Sequence, residues 1–308
     1  MIRNFDDLER EMSKRPPLRV VVAGADDSRV LDALSAASQS HQISLAHLIG
    51  NAAEIQRLLP TGLAGIARIV DAQDADECAA KAVAIVRDGQ ADVLVKGSVN
   101  SASYLKAVVN KELGLRKSSV LSNLTLAEMP SLDRLLGATD NGIIPLPDLA
   151  QKRAILMNSR ALFAGLGIAT PRVAAIAASE KVSARQPATT DAAALAEESR
   201  NGDFGGMCIE GPFGYDVALS RAAAEAKGLH KSQVAGRADL ILFPNIEAGN
   251  ATVKSWKLHG QARTASIVLG ASVPVLLNSR SDGVEQRRLG LILAQAVIAG
   301  LDSVGPAQ

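Results

Sequence analysis

A serine and an arginine, Ser279-Arg280, stand where the apolar run Val273–Asn278 gives way to a helical pattern from about Glu285. At a strand-to-helix junction the first helical N–H groups are unpaired, and the dipole favours an anion. A guanidinium there adds a planar pair of donors that fits a phosphate or a carboxylate. Asp282 and Glu285 follow, and their spacing admits two readings. Either is an acid placed to take a proton, or the pair is a capping box with Asp282 as N-cap and Glu285 at N3. Arg280 is not needed by a cap, so anion binding is its better explanation.

Three further strand ends carry the same kind of residue. ADVLV runs into Lys96-Gly97-Ser98 and a helix bearing Lys106, Lys111 and Arg116. Lys96 follows a buried strand, so its cation is expected to reach solvent or an anion. Lys106 and Lys111 read equally as a solvated helix face. GGMCI runs into Glu210-Gly211-Pro212-Phe213-Gly214-Tyr215-Asp216, where the glycines suit a tight turn or a close approach to a ligand. ADLILF runs into Pro244-Asn245-Ile246-Glu247-Ala248-Gly249-Asn250. In open parallel sheets ligands bind outside the carboxyl ends of the strands, and four strands here deliver polar residues to that edge. The G-x-G-x-x-G, G-x-x-x-x-G-K-[ST] and G-x-S-x-G patterns do not occur.

The elements that must position these loops follow from hydrophobic period. Strands are predicted at Arg19–Ala23, Ile43–Ile49, Ile66–Val70 and Ala91–Val95, with helices near Ser28–Ser38, Ala52–Leu59 and Ala75–Arg87 between them. This alternation predicts an α/β, doubly wound parallel sheet. Thr139–Pro147 breaks the pattern with a glycine and two prolines. Helices are then predicted near Leu149–Leu166, Asp191–Arg200 and Asp216–Lys227, and a last one over Glu285–Gly300. Strands are predicted at Arg172–Ala177, Gly206–Ile209, Asp239–Phe243, Ser266–Leu269 and Val273–Asn278. No internal repeat is visible.

The chain has 308 residues, 47% of them hydrophobic and only 3% aromatic, which supports two lobes packed with small and branched side chains. Thirty-three basic residues face 32 acidic ones, so no broad basic face is available for nucleic acid. Cys78 and Cys208 exclude a disulfide framework and read as buried free thiols. The four histidines are scattered, which gives a metal site little support. The start, MIRNFDDLEREMSKRPP, lacks an apolar h-region, and no run of 18 apolar residues follows. A soluble, cytoplasmic protein with no membrane partner is expected.

The segments ADVLVKGSVNSASYLKAVVNKELGLR, IEGPFGYDVALS, ADLILFPNIEAGN and VPVLLNSRSD resemble the phosphate acetyl/butyryltransferase family, in the same order and over nearly the whole chain. The resemblance implies two α/β domains with a cleft between them, a fold near that of the isocitrate and isopropylmalate dehydrogenases. Residues 1–138 plus 273–308 would form the first domain and 139–272 the second. It implies a phosphotransacylase that moves a short acyl group between coenzyme A and phosphate. Coenzyme A would be a substrate, with no permanently bound cofactor, and a homodimer would be the usual assembly. Ser279 and Arg280 match the family's Ser-Arg pair, which binds the phosphoryl end and assists the thiol. Lys106 falls where the family has a basic residue facing phosphate or coenzyme A. Asn250 closes the family's P-x-I-E-A-G-N loop, which also holds Glu247. Asp216 matches an acid after the Gly211-Pro212 turn. Lys96, Ser101 and Arg116 lie in the first quoted segment and join the expected binding set. The chain departs from the family at Asn100-Ser101-Ala102-Ser103, where His-Thr-Gly-Asp is common. It also carries Gln286 where acetyl-type enzymes place an acid, and the spacing of Asp282 and Glu285 resembles butyryl-type members. The rival readings are a non-catalytic lobe that binds acyl-CoA and phosphate, and a metal- and NAD-dependent dehydrogenase on the related fold.

Overall fold

The structure is a computed structural model, and it describes residues 2–278 and 282–304. In chain order the elements are α1 (Phe5–Met12), β1 (Leu18–Ala23), α2 (Ser28–Gln39), β2 (Ile43–Gly50), α3 (Ala52–Leu58), β3 (Ala67–Asp71), α4 (Ala75–Arg87), β4 (Val93–Lys96) and α5 (Ser101–Val108). Next come β5 (Ser122–Glu128), β6 (Leu136–Thr139), α6 (Leu149–Gly165), β7 (Arg172–Ile176), α7 (Pro187–Arg200), β8 (Cys208–Phe213), α8 (Tyr215–Leu219), α9 (Arg221–Ala226) and β9 (Leu240–Leu242). The chain closes with α10 (Ile246–Leu258), β10 (Arg263–Leu269), β11 (Val275–Leu276) and α11 (Val284–Val304). Two compact units result. The first comprises Asp6–Ser118 and Ala265–Ile298; the second comprises Ser119–Thr264 with the described residues up to Phe5 and from Ala299.

In the first unit the strand order is β3-β2-β1-β4-β11-β10. β1 pairs in parallel with β2 and β4, β2 with β3, and β4 with β11, while β10 runs antiparallel to β11. Val20, Val21 and Val22 of β1 are fully buried, as a strand covered on both faces requires. Helix starts are set by side-chain caps: Asp27 accepts from Arg29 N, Asn51 from Glu54 N and Asp74 from Glu77 N. Successive connections run from β1 outward to β3 and then return past β1 to β4. The loops after β1 and β4 therefore part on opposite sides, which is the topological switch point of this unit.

The second unit orders its strands β5-β6-β9-β7-β8, antiparallel only at β5-β6. Ala127, Leu136, Ala138, Ile241, Phe243 and Trp256 form one of its cores. A full capping box, Asp148 with Gln151, starts α6, and Pro187 occupies the first turn of α7. Its switch point lies between β7 and β9.

The two units share a clamp that no sequence repeat announces. Asp92 receives the backbone N–H, Nε and Nη2 of Arg19 at 2.8, 3.2 and 2.6 Å. Asp239 receives the same three groups of Arg172 at 2.9, 2.8 and 2.7 Å. Each clamp ties the amino ends of the two strands that flank a switch point, β1 with β4 and β7 with β9.

The observed units divide at 118/119 and 264/265, not at the expected 138/139 and 272/273. The reason is pairing: β5 and β6, absent from the sequence reading, form a ladder with each other and β6 continues into β9. The segment Thr139–Pro147 is thus a strand-end loop within the second unit. Three other expectations change. Gly211-Pro212, joined by a cis bond, lies inside β8 where the register with β7 shifts. A proline is tolerated there because β8 is an edge strand. The residues Ile246–Asn250, read as loop, are the first turns of α10. The helix expected over Asp216–Lys227 is split at Ser220, which ends α8 and caps α9.

Candidate functional site

The carboxyl edge of the first unit is built by close approach of two loops. A Cβ on Gly97 would stand 1.8 Å from the Gly24 carbonyl oxygen, so the turns after β1 and β4 touch through glycine alone. Tyr104, buried in α5, puts its hydroxyl within 3.0 Å of Leu94 O and 3.2 Å of Leu276 O, fixing β4 beside β11. Lys96 is buried, and its ammonium donates to the carbonyls of Gly97 (3.1 Å) and Val99 (2.8 Å). These two bonds staple the turn after β4. Ser98 Oγ donates to Asp26 at 2.5 Å across the switch point.

Beside this turn lies a hollow of about 570 Å³ lined by Asp27, Arg29, Lys96, Ser98, Asn278 and Arg287 among others. Burial pushes the Asp27 carboxyl up, but hydrogen bonds and charge from Arg29 outweigh it and leave the group below its ordinary value. Burial lowers the pKa of the Arg287 guanidinium; Asp27 and Asp282 act against that shift and Arg29 with it.

Of the four expected catalytic residues, Ser279 and Arg280 lie outside the described residues. Asp282 is buried at the end of the same segment, and its carbonyl accepts from Arg287 Nε at 3.3 Å. Arg287 N bonds to Gly283 O, and Gly283 N donates to Gln286 Oε1 at 3.1 Å, so the Gln286 side chain holds the backbone at the start of α11. Glu285 is exposed on the first turn of α11 and pairs with Arg288 at 3.2 Å.

The expected binding residues of this unit spread out. Ser101 is exposed in the first turn of α5, where Asn100 caps by accepting from Ser103 N at 2.8 Å. Lys106 is exposed and 3.6 Å from Asp76. α5 ends at Val108, so Lys111 and Arg116 are not on the helix that carries Lys106; Arg116 is exposed and bridges to Ala271.

In the second unit the carboxyl ends of β6, β9, β7 and β8 meet. Asp140 is the anchor: its carboxylate accepts from the backbone N–H groups of Asn123, Gly142, Ile143 and Ile144 at 2.9–3.2 Å. Burial raises its pKa against those hydrogen bonds. Asn141 extends the network to Asn123 and Thr125. Asn250 donates to Asn141 O at 3.2 Å, and a Cβ on Gly249 would meet Asp140 O at 2.9 Å. Thus Gly249-Asn250 hold α10 against the loop after β6. Gly211 is required by contact too, since a Cβ would lie 2.6 Å from Ala175 O. Pro212 is buried, while Asp216 and Glu247 are exposed in the first turns of α8 and α10.

A cavity of about 960 Å³ opens at this unit's switch point. Ile176–Ala178, Phe243-Pro244 and Tyr215 give it mostly apolar walls, with the buried Lys152 paired to Asp191 at 2.6 Å. The sequence reading missed the Asp140–Asn141 network and this cavity, although Asp140-Asn141-Gly142 directly after a strand was a usable signal. It also missed Arg287, which looks like any helical arginine. Cys78 is buried as expected, but Cys208 is only half-buried. Among the described residues no group of three or more His, Cys, Asp or Glu side chains is gathered for a metal, and no helix is long and apolar enough to cross a membrane.

Residues 67–294 match the protein family described as Phosphate acetyl/butaryl transferase. The phosphate butyryltransferase of Clostridium beijerinckii is 36% identical over 97% of this chain and 99% of its own length. Among solved structures, a branched-chain phosphotransacylase from Enterococcus faecalis V583 superposes with a TM-score of 0.79 at 27% identity, covering 91% of this chain and 99% of that one. A 4-hydroxythreonine-4-phosphate dehydrogenase from Klebsiella pneumoniae, 11% identical, shares the fold at a TM-score of 0.55 over 91% of this chain and 99% of that one. With a family match over most of its length and a full-length relative above 30% identity, the chain belongs to the phosphate acetyl/butyryltransferase family of acyltransferases.

Proposed function

We propose that the chain catalyses acyl-CoA + phosphate = acyl phosphate + CoA, on short acyl groups longer than acetyl. The observation that carries this reading is the near full-length relatedness to a phosphate butyryltransferase. The spacing of Asp282 and Glu285 supports the longer acyl group. In the direction of thioester synthesis, the coenzyme A thiol loses its proton and its sulfur attacks the acyl carbonyl. The C–S bond forms, the C–O bond to phosphate breaks, and phosphate leaves with the electron pair. A free thiol titrates near 8.5, so a base or a cation that raises the thiolate fraction at neutral pH accelerates attack. Ser279 and Arg280 are the proposed phosphoryl ligands, with Arg280 stabilising charge on the leaving group.

Between the two acids, Asp282 is the better base. It is buried, whereas Glu285 is exposed and faces Arg288. Lys96 shapes the turn that presents Ser98. Lys106, Ser101 and Arg116 on the first unit, with Gly211, Pro212, Asp216, Glu247 and Asn250 on the second, are the proposed substrate-binding set, carried from the family resemblance. Exposure of Lys106, Asp216 and Glu247 leaves them accessible to a ligand.

The proposal includes a homodimer in the cytoplasm, with no nucleic acid or membrane partner. Light scattering would then give twice the 32.0 kDa chain mass. The test of specificity is a thiol-release assay with phosphate across acetyl-, propionyl-, butyryl- and isobutyryl-CoA. Highest kcat/KM on a four-carbon thioester is expected; highest on acetyl-CoA would overturn the chain-length reading. Binding of acyl-CoA without release in the whole series would leave only the non-catalytic lobe.

A further inference from the structure

The cavity at the second unit's switch point holds a pair of charges in walls that are otherwise mostly apolar. Lys152 on α6 donates to Asp191 Oδ2 on α7 at 2.6 Å. Lys152 is only 4% exposed, whereas the Asp191 side chain is 23% exposed. Neither residue belongs to the binding set carried from the family resemblance.

Fastening α6 to α7 is a poor account of this pair. An ion pair taken out of water commonly stabilises no better than apolar side chains of similar volume. Lys152 is also the fourth residue of α6, where the helix dipole disfavours a cation. An ammonium has three donors, and among the described residues only the bond to Asp191 uses one. Asp191 Oδ1 likewise accepts from no described residue. The chemistry of a ligand that would use these groups follows from the pair itself. The two charges cancel, so the pair does not select an anion. What remains is a donor beside an acceptor, among apolar walls that include Ile176, Ala177, Phe243 and Pro244. An uncharged chain with amides set between methylenes meets both conditions. The pantetheine arm of coenzyme A is such a chain, with two amides joined by methylenes and further methylenes up to the thiol. A butyryl group has no polar atom beyond its carbonyl and would fill only part of about 960 Å³.

We propose that this cavity takes the pantetheine arm of the acyl-CoA, with Lys152 donating to an amide carbonyl and Asp191 accepting from an amide N–H. The inference rests on the proposed reading of the chain as an acyltransferase between coenzyme A and phosphate. Lys152 and Asp191 are then substrate-binding residues that hold the arm and take no part in bond making. Their loss should weaken the thioester and leave phosphate alone.

The probe is S-butyrylpantetheine, which keeps the arm and the acyl group without the nucleotide, titrated by calorimetry into the full-length chain. The double variant Lys152→Met with Asp191→Leu removes both charges and keeps apolar packing, while Asp191→Asn keeps an acceptor. Thermal unfolding is followed in parallel. Wild type should bind the probe, and the double variant should bind it roughly ten- to hundredfold more weakly, on the order of tenfold for each hydrogen bond to a charged group that is lost. Asp191→Asn should lose less than the double variant. In steady-state kinetics the double variant's kcat/KM for butyryl-CoA should fall by the same factor, with the KM for phosphate and the melting temperature unchanged. No binding of the probe to wild type, or equal binding to wild type and double variant, overturns the proposal. So does a loss that the KM for phosphate shares, or one that follows a fall in melting temperature across both variants, since those mark a pair that only fastens α6 to α7. Wild type that binds the probe but releases no coenzyme A from butyryl-CoA with phosphate would instead remove the acyltransfer reading and leave the cavity's ligand standing.

Discussion

The two units clamp the amino ends of their switch-point strands with the same Arg–Asp geometry, yet they finish the carboxyl ends in different materials. β1 and β4 lead into Asp26, Asp27, Arg29, Ser98 and a stapled Lys96. β7 and β9 lead into Ile176, Ala177, Phe243 and Pro244, around a cavity of about 960 Å³. The clamp lies far along each strand from the loops, so the loops can differ without disturbing the pairing that positions them. A charged edge suits a phosphoryl group, whose binding and release turn on donors and cations. An apolar edge suits the uncharged length of a thioester, where area removed from water is the main contribution. On this comparison we propose that the first unit carries the phosphoryl chemistry and the second reads the acyl substrate.

The largest expected effect falls on the charged edge. Arg280→Ala should lower turnover by about a hundred- to a thousandfold with the melting temperature little changed, as loss of one donor to developing charge does elsewhere. Steady-state kinetics with saturating phosphate decide it, and near-normal turnover would break the assignment.

The two clamps should not be equal in stability. Asp239's side chain is 6% exposed and Asp92's 30%. Arg172→Met strands a nearly buried carboxylate and should cost about 3 kcal/mol in urea unfolding. Arg19→Met leaves a hydrated one and should cost about 1 kcal/mol or less. Equal losses would show that burial of the carboxylate does not set the strength of the clamp.

Ala178 is exposed on the wall of the apolar cavity. Ala178→Leu should raise the KM for butyryl-CoA roughly tenfold, the scale of a few methylenes in a pocket, and leave the KM for phosphate unchanged. An effect on phosphate alone would reverse the division of labour.

The smallest effect is on pH dependence. Burial lowers the pKa of His47 on β2, and Arg68 and Arg19 add to the shift. A depressed base is neutral in both states above the unfolded value near 6.5, so its contribution is intact there. As pH falls below 6.5 toward the folded pKa, the unfolded state takes up the proton first and stability is lost. His47→Gln should make thermal stability less sensitive to acid over that window. An unchanged slope would remove His47 from the account.

Much of this organisation was legible in the residues. Runs such as Val20-Val21-Val22, closed by glycine and followed by a capped helix, specify strand and helix locally. The α/β reading of β1 to α4 follows from them within a residue or two. What escaped depended on partners distant in sequence. β5 and β6 stabilise each other across a turn, and neither is apolar enough to stand out. Gly211-Pro212 looks like a turn, and only pairing with β7 makes it part of a strand. Ile246–Asn250 looks like loop because glycine and asparagine are weak helix formers, but Asn245 caps the helix and Asn141 holds it. In the candidate site, types and order of residues were readable, while roles were not. Nothing in the sequence shows that the Lys96 ammonium also donates to two carbonyls of its own turn. Asp282-x-x-Glu285 reads as acid or as capping box with equal ease in the sequence, and Gln286, which holds Gly283 N, gives no sign of that contact.

The most direct test of the account is coenzyme A release from butyryl-CoA by the purified wild-type chain, followed with a thiol reagent as phosphate is added. Release that requires phosphate, saturates with it and yields an acyl phosphate trapped by hydroxylamine is the predicted result. Release at the same rate without phosphate, or no release at any phosphate concentration, would contradict it.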